Sequence, residues 1–324
     1  MSTQTKSPTL SDFAMHVKEG LSAQQKYLSS RYMYNEKGDK LFQQIMGLPE
    51  YYLTRAEHDI LAHQKNEIAE AFVGDGSPFL LIELGAGDGT KTRLLLKELL
   101  DKEADFTYMP VDISGSVLKE LKSNLQNELP HLDVQTINQE YFAALKFLNE
   151  HKAQRKVVLF LGSNIGNLSN SEARSFMNKA QDCCENGDLW FLGIDLKKDP
   201  DIIRKAYNDA QGVTADFNLN LLHRMNDELE ADFNLTHWKH YESYDPLSGE
   251  ARSYLVSKVN QKVRLNKIDL EVNFEQGEPI HTEISKKYHL SEIETLAKDT
   301  GYTVVKNFID NNGYFADTIW RAKE

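Results

Sequence analysis

Cysteine is nearly absent: the chain has two, Cys183 and Cys184, side by side. Neighbouring cysteines rarely bridge each other, and this spacing matches no metal-binding signature. Neither a disulfide framework nor a metal site is expected, and the pair reads as plain thiols of a protein in a reducing compartment, the cytoplasm. Long apolar runs are missing too. None approaches the ~20 residues that span a bilayer, and the polar stretch 1–11 lacks the apolar centre of a secretion signal. Excess positive charge is lacking as well: 37 Lys and Arg stand against 49 Asp and Glu, a formal net charge of −12. That balance offers no electrostatic footprint for nucleic acid or for an anionic membrane, and no obligate protein partner is implied. No internal repeat or low-complexity tract is present.

What is there suits a soluble globular protein rather than a disordered one: hydrophobic residues make up 40% and charged residues 27%. At 324 residues the chain is expected to form one large or two smaller domains. Short apolar runs at Phe79–Leu84, Tyr108–Val111, Val134–Ile137, Val157–Leu161 and Leu189–Ile194 alternate with helical patterns at Thr92–Leu100, Ser116–Leu125 and Ser171–Cys184. Such alternation predicts right-handed βαβ units around a parallel sheet. After Asp195 the style changes. Helices are predicted over Asp199–Ala210 and Asn220–Leu229, then strands over Ser253–Leu265, Ile268–Phe274 and Pro279–Tyr288. Leu290–Thr300 reads as a helix, and Val304–Ile309 and Tyr314–Arg321 as a hairpin closed by Asp310-Asn311-Asn312-Gly313. The expected division is an α/β core over 56–195 and 289–324, and a second domain over 1–55 and 196–288.

Leu80–Thr90 is a strand running into a glycine-rich turn, with Gly85, Gly87 and Gly89 allowing a ligand to approach the backbone closely. Asp112, at the end of the next strand, can accept both hydroxyls of a ribose, or else cap the following helix. Glu140 and Tyr141 follow the third strand and can border an adenine. A dehydrogenase would continue with parallel units. A closing antiparallel strand is instead the topology of Rossmann-like methyltransferases, with the ligand at the carboxyl ends of the strands.

Several motifs in order carry a closer resemblance. They are Leu48–Glu57, Glu83–Arg93, Phe160–Leu168, Gly193–Asp199, Gly212–Asn218 and Thr282–Tyr288. Over most of its length the chain resembles the histidine-specific Nα-methyltransferases of ergothioneine biosynthesis. The resemblance implies an α/β fold: a Rossmann-like class I methyltransferase core with an inserted α+β substrate-binding domain. It implies S-adenosylmethionine as cofactor and conversion of free histidine, a small amino-acid substrate, to its trimethylated betaine. Carried over by motif, Gly85, Gly87, Lys91, Asp112, Glu140, Tyr141 and Gly162 contact the cofactor. Asn167 and Tyr207 hold the substrate carboxylate, while Tyr51, Glu283 and Ser285 read the imidazole. Tyr34 lies near the substrate amine.

Strand parity agrees in part. Glu283 and Ser285 are two apart, so both project from one face, where a carboxylate and a hydroxyl can bond the two imidazole nitrogens. The other reading of that face is simple solvation. Ser253 departs from the family's pattern, which has a methionine there, and a smaller polar wall enlarges the side-chain pocket. The competing functions are methylation of another amine such as tryptophan, an NAD-dependent oxidoreductase, and a non-catalytic ligand-binding protein.

Overall fold

In the computed structural model, residues 10–151 and 154–323 are described, without the side chains at 10, 11, 141, 142 and 148. In chain order the strands are β1 (Phe79–Leu84), β2 (Phe106–Asp112), β3 (Ile137–Asn138), β4 (Lys156–Phe160), β5 (Leu189–Asp195), β6 (Trp238–Asp245), β7 (Glu250–Ser257), β8 (Gln261–Leu265), β9 (Leu270–Phe274), β10 (Pro279–Lys286), β11 (Tyr302–Ile309) and β12 (Phe315–Ala322). The helices are α1 (Leu10–Ser22), α2 (Glu36–Met46), α3 (Tyr52–Val73), α4 (Thr92–Asp101), α5 (Gly115–Glu128), α6 (Tyr141–Glu150), α7 (Asn170–Gln181), α8 (Pro200–Ala206), α9 (Val213–Leu229) and α10 (Leu290–Asp299). Two compact units divide them. Of the described residues, one contains 53–151, 154–197 and 286–323, the other 10–52 and 198–285.

The first unit is built on a seven-stranded sheet in the order β11-β12-β5-β4-β1-β2-β3. Strands β1 to β5 run parallel, and β12 inserts antiparallel between β5 and β11. Every residue of β4 and β5 is buried, as a sheet covered on both faces requires. Amphipathic helices supply the cover: α4 buries Leu95, Leu96 and Leu99, and α7 buries Ala173, Phe176, Met177 and Ala180. Helix α7 opens with a capping box, Ser169 and Glu172 each bonding the other's backbone N–H. Strand order reverses between β1 and β4, so the site-forming crevice lies at their carboxyl ends. Third in the parallel run, β3 is shorter than the expected Val134–Ile137. It holds two residues at the sheet edge, where only β2 can pair with it, and Val134 makes an isolated bridge to Tyr108. In the closing hairpin, the Asp310 carboxylate accepts from the backbone of Asn312, Tyr314 and Phe315. Both cysteines are free thiols. Burial pushes Cys184 up to about 11, and Trp190 Nε1 donates to its sulfur at 3.3 Å.

The second unit contains a three-stranded sheet, β10-β7-β6, and a separate β8-β9 pair. The expected continuous strand Ser253–Leu265 is therefore two strands of different sheets. Ser257 turns the chain: its hydroxyl donates to the Val259 carbonyl at 2.8 Å and accepts from Gln261 Nε2 at 2.6 Å. Helix α9 begins seven positions before the expected Asn220. The Asp209 carboxylate caps it from outside, accepting from Val213 N at 3.0 Å and Thr214 N at 2.8 Å. Among the described residues no helix is long and apolar enough to cross a membrane.

Candidate active site

The glycine turn follows β1 because the chain must reverse there at close range. Gly85, Gly87 and Gly89 have φ of +73°, +55° and +67°, a region that disfavours any side chain. A Cβ at Gly89 would collide with Leu121, whereas one at Gly87 would meet nothing within 4 Å. The space over Gly87 is thus open. Asp112 braces the turn from β2: its Oδ2 accepts from Gly87 N at 3.0 Å and its Oδ1 from Ser114 N at 2.9 Å. Burial pushes its carboxyl up against these bonds. Of the two roles weighed for Asp112, the helix cap belongs to Ser114, whose hydroxyl accepts from Val117 N. Asp112 thus accepts from the Gly87, Ser114 and Ile113 backbone, and a carboxylate has about four lone-pair sites.

Next to the turn, Lys91 is held by a carboxylate from α3. Its ammonium pairs with Glu57 Oε2, while Glu57 Oε1 accepts from Gly162 N at 2.6 Å. Glu57 is fully buried, and the Lys91 side chain keeps 21% of its exposure. Burial works against the Lys91 charge, and the surrounding carboxyls of Glu57, Asp317 and Glu83, Glu57 foremost, together more than offset it, so the ammonium sits above its usual range. Gly162 has φ +72° and is followed by Ser163 at φ +59°, two left-handed residues in a row where the chain leaves β4. A Cβ on Gly162 would lie 3.4 Å from Lys91 Nζ. Beneath, Glu83 of β1 accepts from Thr92 Oγ1 and Tyr108 OH, and burial pushes its carboxyl up to about 7. Asn167 ends a single helical turn after Gly162 and is half-buried. Glu140 is exposed beyond β3, and the side chain of Tyr141 lies outside the described residues.

In the second unit an aromatic cluster gathers three of the sequence-predicted tyrosines. Tyr34 lies edge-on to Phe42 and Phe217, with centroids 5.6 and 5.4 Å away, and Tyr51 lies edge-on to Phe42 and Tyr207 at 6.3 and 6.2 Å. Asn220 of α9 fixes the segment carrying Tyr34, donating to Met33 O at 3.2 Å and Asn35 Oδ1 at 2.9 Å. Tyr207 follows α8. Its carbonyl bonds His240 Nε2 at 2.9 Å, and its hydroxyl meets Ser285 Oγ at 2.7 Å, both residues buried. Glu283 is half-buried on the same strand, β10. Ser253 is 2% exposed, and its hydroxyl donates to Glu242 Oε2 at 3.0 Å across the β6–β7 ladder. The wall at this position is thus a serine–glutamate pair and not an empty notch.

Sequence reasoning assigned no role to Glu57, Glu242, Phe42 or Phe217. Glu57 lies inside one of the matching motifs, which was its only signal. Its partners Lys91 and Gly162 are 34 and 105 positions away. No group of three or more His, Cys, Asp or Glu side chains suited to a metal occurs among the described residues.

Comparison with known proteins fits this geometry. The family model of the S-adenosylmethionine-dependent, histidine-specific methyltransferases matches residues 13–322. A histidine N-alpha-methyltransferase from Mycolicibacterium smegmatis is 34% identical over 304 residues, covering 92% of this chain and 91% of its own. Ergothioneine biosynthesis protein 1 from Neurospora crassa is 30% identical over 287 residues, and the match covers 87% of this chain but 32% of that protein. The 4-dimethylallyltryptophan N-methyltransferase of Claviceps purpurea is 25% identical over 308 residues, 87% of each chain. The motifs, the antiparallel β12 and these matches make the chain a member of the S-adenosylmethionine-dependent, histidine-specific methyltransferase family.

Proposed function

We propose that the protein methylates the α-amino group of free L-histidine, and that it continues to the trimethylated betaine, hercynine, in the cytoplasm. The observation that carries this reading is the buried Tyr207–Ser285 hydroxyl pair beside the Tyr34, Phe42, Tyr51 and Phe217 rings. Such a cluster suits one small aromatic amino acid with polar groups at both ends.

The first unit fits the cofactor. The open space over Gly87, the carboxylate of Asp112 and the ammonium of Lys91 beside Gly162 suit, in turn, a backbone-hugging ligand, a ribose diol and a carboxylate. Gly85, Gly87, Lys91, Asp112, Glu140, Tyr141 and Gly162 would hold it. When bound, the cofactor supplies a methyl group on a sulfonium, an electrophile that needs little acid or base assistance. This chain's residues do the rest. Asn167 and Tyr207 would donate to the substrate carboxylate and fix the α-carbon. An α-ammonium must first lose its proton, and Tyr34, directly or through water, would accept an amine hydrogen bond so that the lone pair is aimed. Glu283 and Ser285 would bond the imidazole nitrogens. Rate then comes mainly from approximation, and each further methylation needs loss of a proton from the methylated ammonium, rotation of the amine and exchange of cofactor.

An indole amine is the second reading, favoured by Ser253 standing where the family's pattern has a larger residue. The test is kcat/KM for histidine, tryptophan and tyrosine with the wild type and Glu283→Ala. Loss of the imidazole's acceptor should cost about 1–3 kcal/mol, or about 5- to 150-fold, for histidine, and less for an indole substrate. Histidine activity no better than the others, or unaffected by Glu283→Ala, refutes the histidine assignment.

A further inference from the structure

One buried acid in the first unit has no role in the account so far. Asp317 lies in the middle of β12, its Cα paired with Phe308 of β11 on one side and Gly193 of β5 on the other. It is completely buried, and neither carboxyl oxygen has a hydrogen-bond partner among the described residues. Paired residues of adjacent strands project to the same face. On that face, at Gly193, sits Glu57: a Cβ on Gly193 would collide with Glu57 Oε1. Glycine is required there because the Glu57 carboxyl occupies the side-chain space. Asp317 is therefore the neighbour of the carboxylate that holds Lys91 and Gly162 N.

Charge decides how the three groups share protons. One ammonium faces two buried carboxyls. Glu57 accepts from the Lys91 ammonium and from the Gly162 backbone N–H. Asp317 accepts from nothing, so ionising it would bury an unpaired second charge. The neutral member is Asp317; burial first, and then the Glu57 charge, push its carboxyl well above the usual carboxylate range. Other charged groups on the surrounding elements are engaged or exposed. Glu83 of β1 is bonded to Thr92 and Tyr108, and Asp195 of β5 pairs with Lys287 at 2.8 Å. Asp59 of α3 accepts from Asn311, while His58 of α3 and Arg321 of β12 are exposed. Lys91 is the cation that acts on Asp317.

We propose that Asp317 is a positioning residue of the cofactor site: protonated, it leaves the Lys91 ammonium to Glu57 and to the cofactor's carboxylate, and ionised, it competes for that ammonium and weakens cofactor binding. The proposal rests on the reading of Lys91 as a cofactor contact. A bound carboxylate adds negative charge beside Asp317, so binding raises its proton affinity further. Cofactor binding then takes up a proton at any pH where Asp317 is partly ionised in the free enzyme.

The test uses S-adenosylhomocysteine and the full chain. Its binding is measured by calorimetry from about pH 6 to about pH 9, in buffers of different ionisation enthalpy, for the wild type, Asp317→Asn and Lys91→Met. The wild type should take up protons on binding and lose affinity with rising pH, by at most about tenfold per unit. Asp317→Asn, whose amide imitates the protonated acid, should bind within about threefold of the wild type at neutral pH and lack both effects. Subtracting the two curves removes the ligand's own titration. Wild-type proton uptake and pH profile in Asp317→Asn would overturn the inference alone. Unchanged affinity in Lys91→Met would overturn the Lys91 reading and the inference with it.

Discussion

Replacing Glu57 by glutamine keeps the shape of the side chain and removes its charge. The amide oxygen can still accept from Gly162 N, but Lys91 loses its counter-ion. A charge-assisted hydrogen bond contributes roughly 1.5–3 kcal/mol. Breaking a fully buried pair costs more, about 3–5 kcal/mol, because a charge is left stranded. Here Lys91 retains 21% exposure and reaches water, and Asp317 stands ready to ionise beside it, so the lower figure applies, about 2 kcal/mol. With an unfolding entropy of about 2.1 cal/mol/K per residue, 324 residues shift by about 1.5 °C per kcal/mol, so Tm should fall by about 3 °C. A Lys91 no longer aimed by Glu57 should also bind S-adenosylhomocysteine about 5- to 30-fold more weakly, the equivalent of 1–2 kcal/mol. Thermal unfolding of the free protein and calorimetry of the ligand read the two effects separately. If both Tm and Kd match the wild type, Glu57 does not organise this site and the electrostatic reasoning is wrong.

Other outcomes follow from named contacts. Glu83 has a folded-state pKa of about 7, above its unfolded value of 4.5. Its stabilising contribution is full below the unfolded pKa and fades as pH rises through the folded one, by up to about 3 kcal/mol. Relative to the wild type, Glu83→Gln should therefore gain Tm steadily between about pH 4.5 and pH 8, and a constant difference would contradict the assignment. Tyr207→Phe should raise the KM for histidine by about 10- to 150-fold, and histamine, lacking the carboxylate, should be a poor substrate of the wild type. Efficient histamine turnover would remove the carboxylate anchor from the account. Ser253→Met should move selectivity towards histidine over tryptophan, measured as the ratio of kcat/KM values. It should also lower Tm, because Glu242 loses a buried donor at a cost of about 1–3 kcal/mol.

Much of the first unit was legible because its signals are local. Strands β4 and β5 are unbroken apolar runs, the glycine turn is contiguous, and Asp310 with Gly313 marks the hairpin. The second unit hid more. Strand β6 was not anticipated, and its inward residues explain why: after Trp238 come His240, bonded to a carbonyl, and Glu242, bonded to Ser253. A strand whose buried face is polar shows no hydrophobic alternation. The start of α9 was missed because its cap, Asp209, stands outside the first turn. Asp112 was readable from its place at a strand end. The Lys91–Glu57–Asp317 cluster was not, since it joins a loop, a helix and the last strand, and only folding brings them together.

The central claim is methyl transfer to the α-nitrogen of histidine, and the product itself is the most direct test. The protein is incubated with histidine and methyl-labelled S-adenosylmethionine, and the product is fragmented by mass spectrometry. The account predicts labelled methyl groups on the α-nitrogen alone, accumulating to the trimethylated betaine. Label on an imidazole nitrogen, or no label in histidine while another amino acid is methylated, would contradict it.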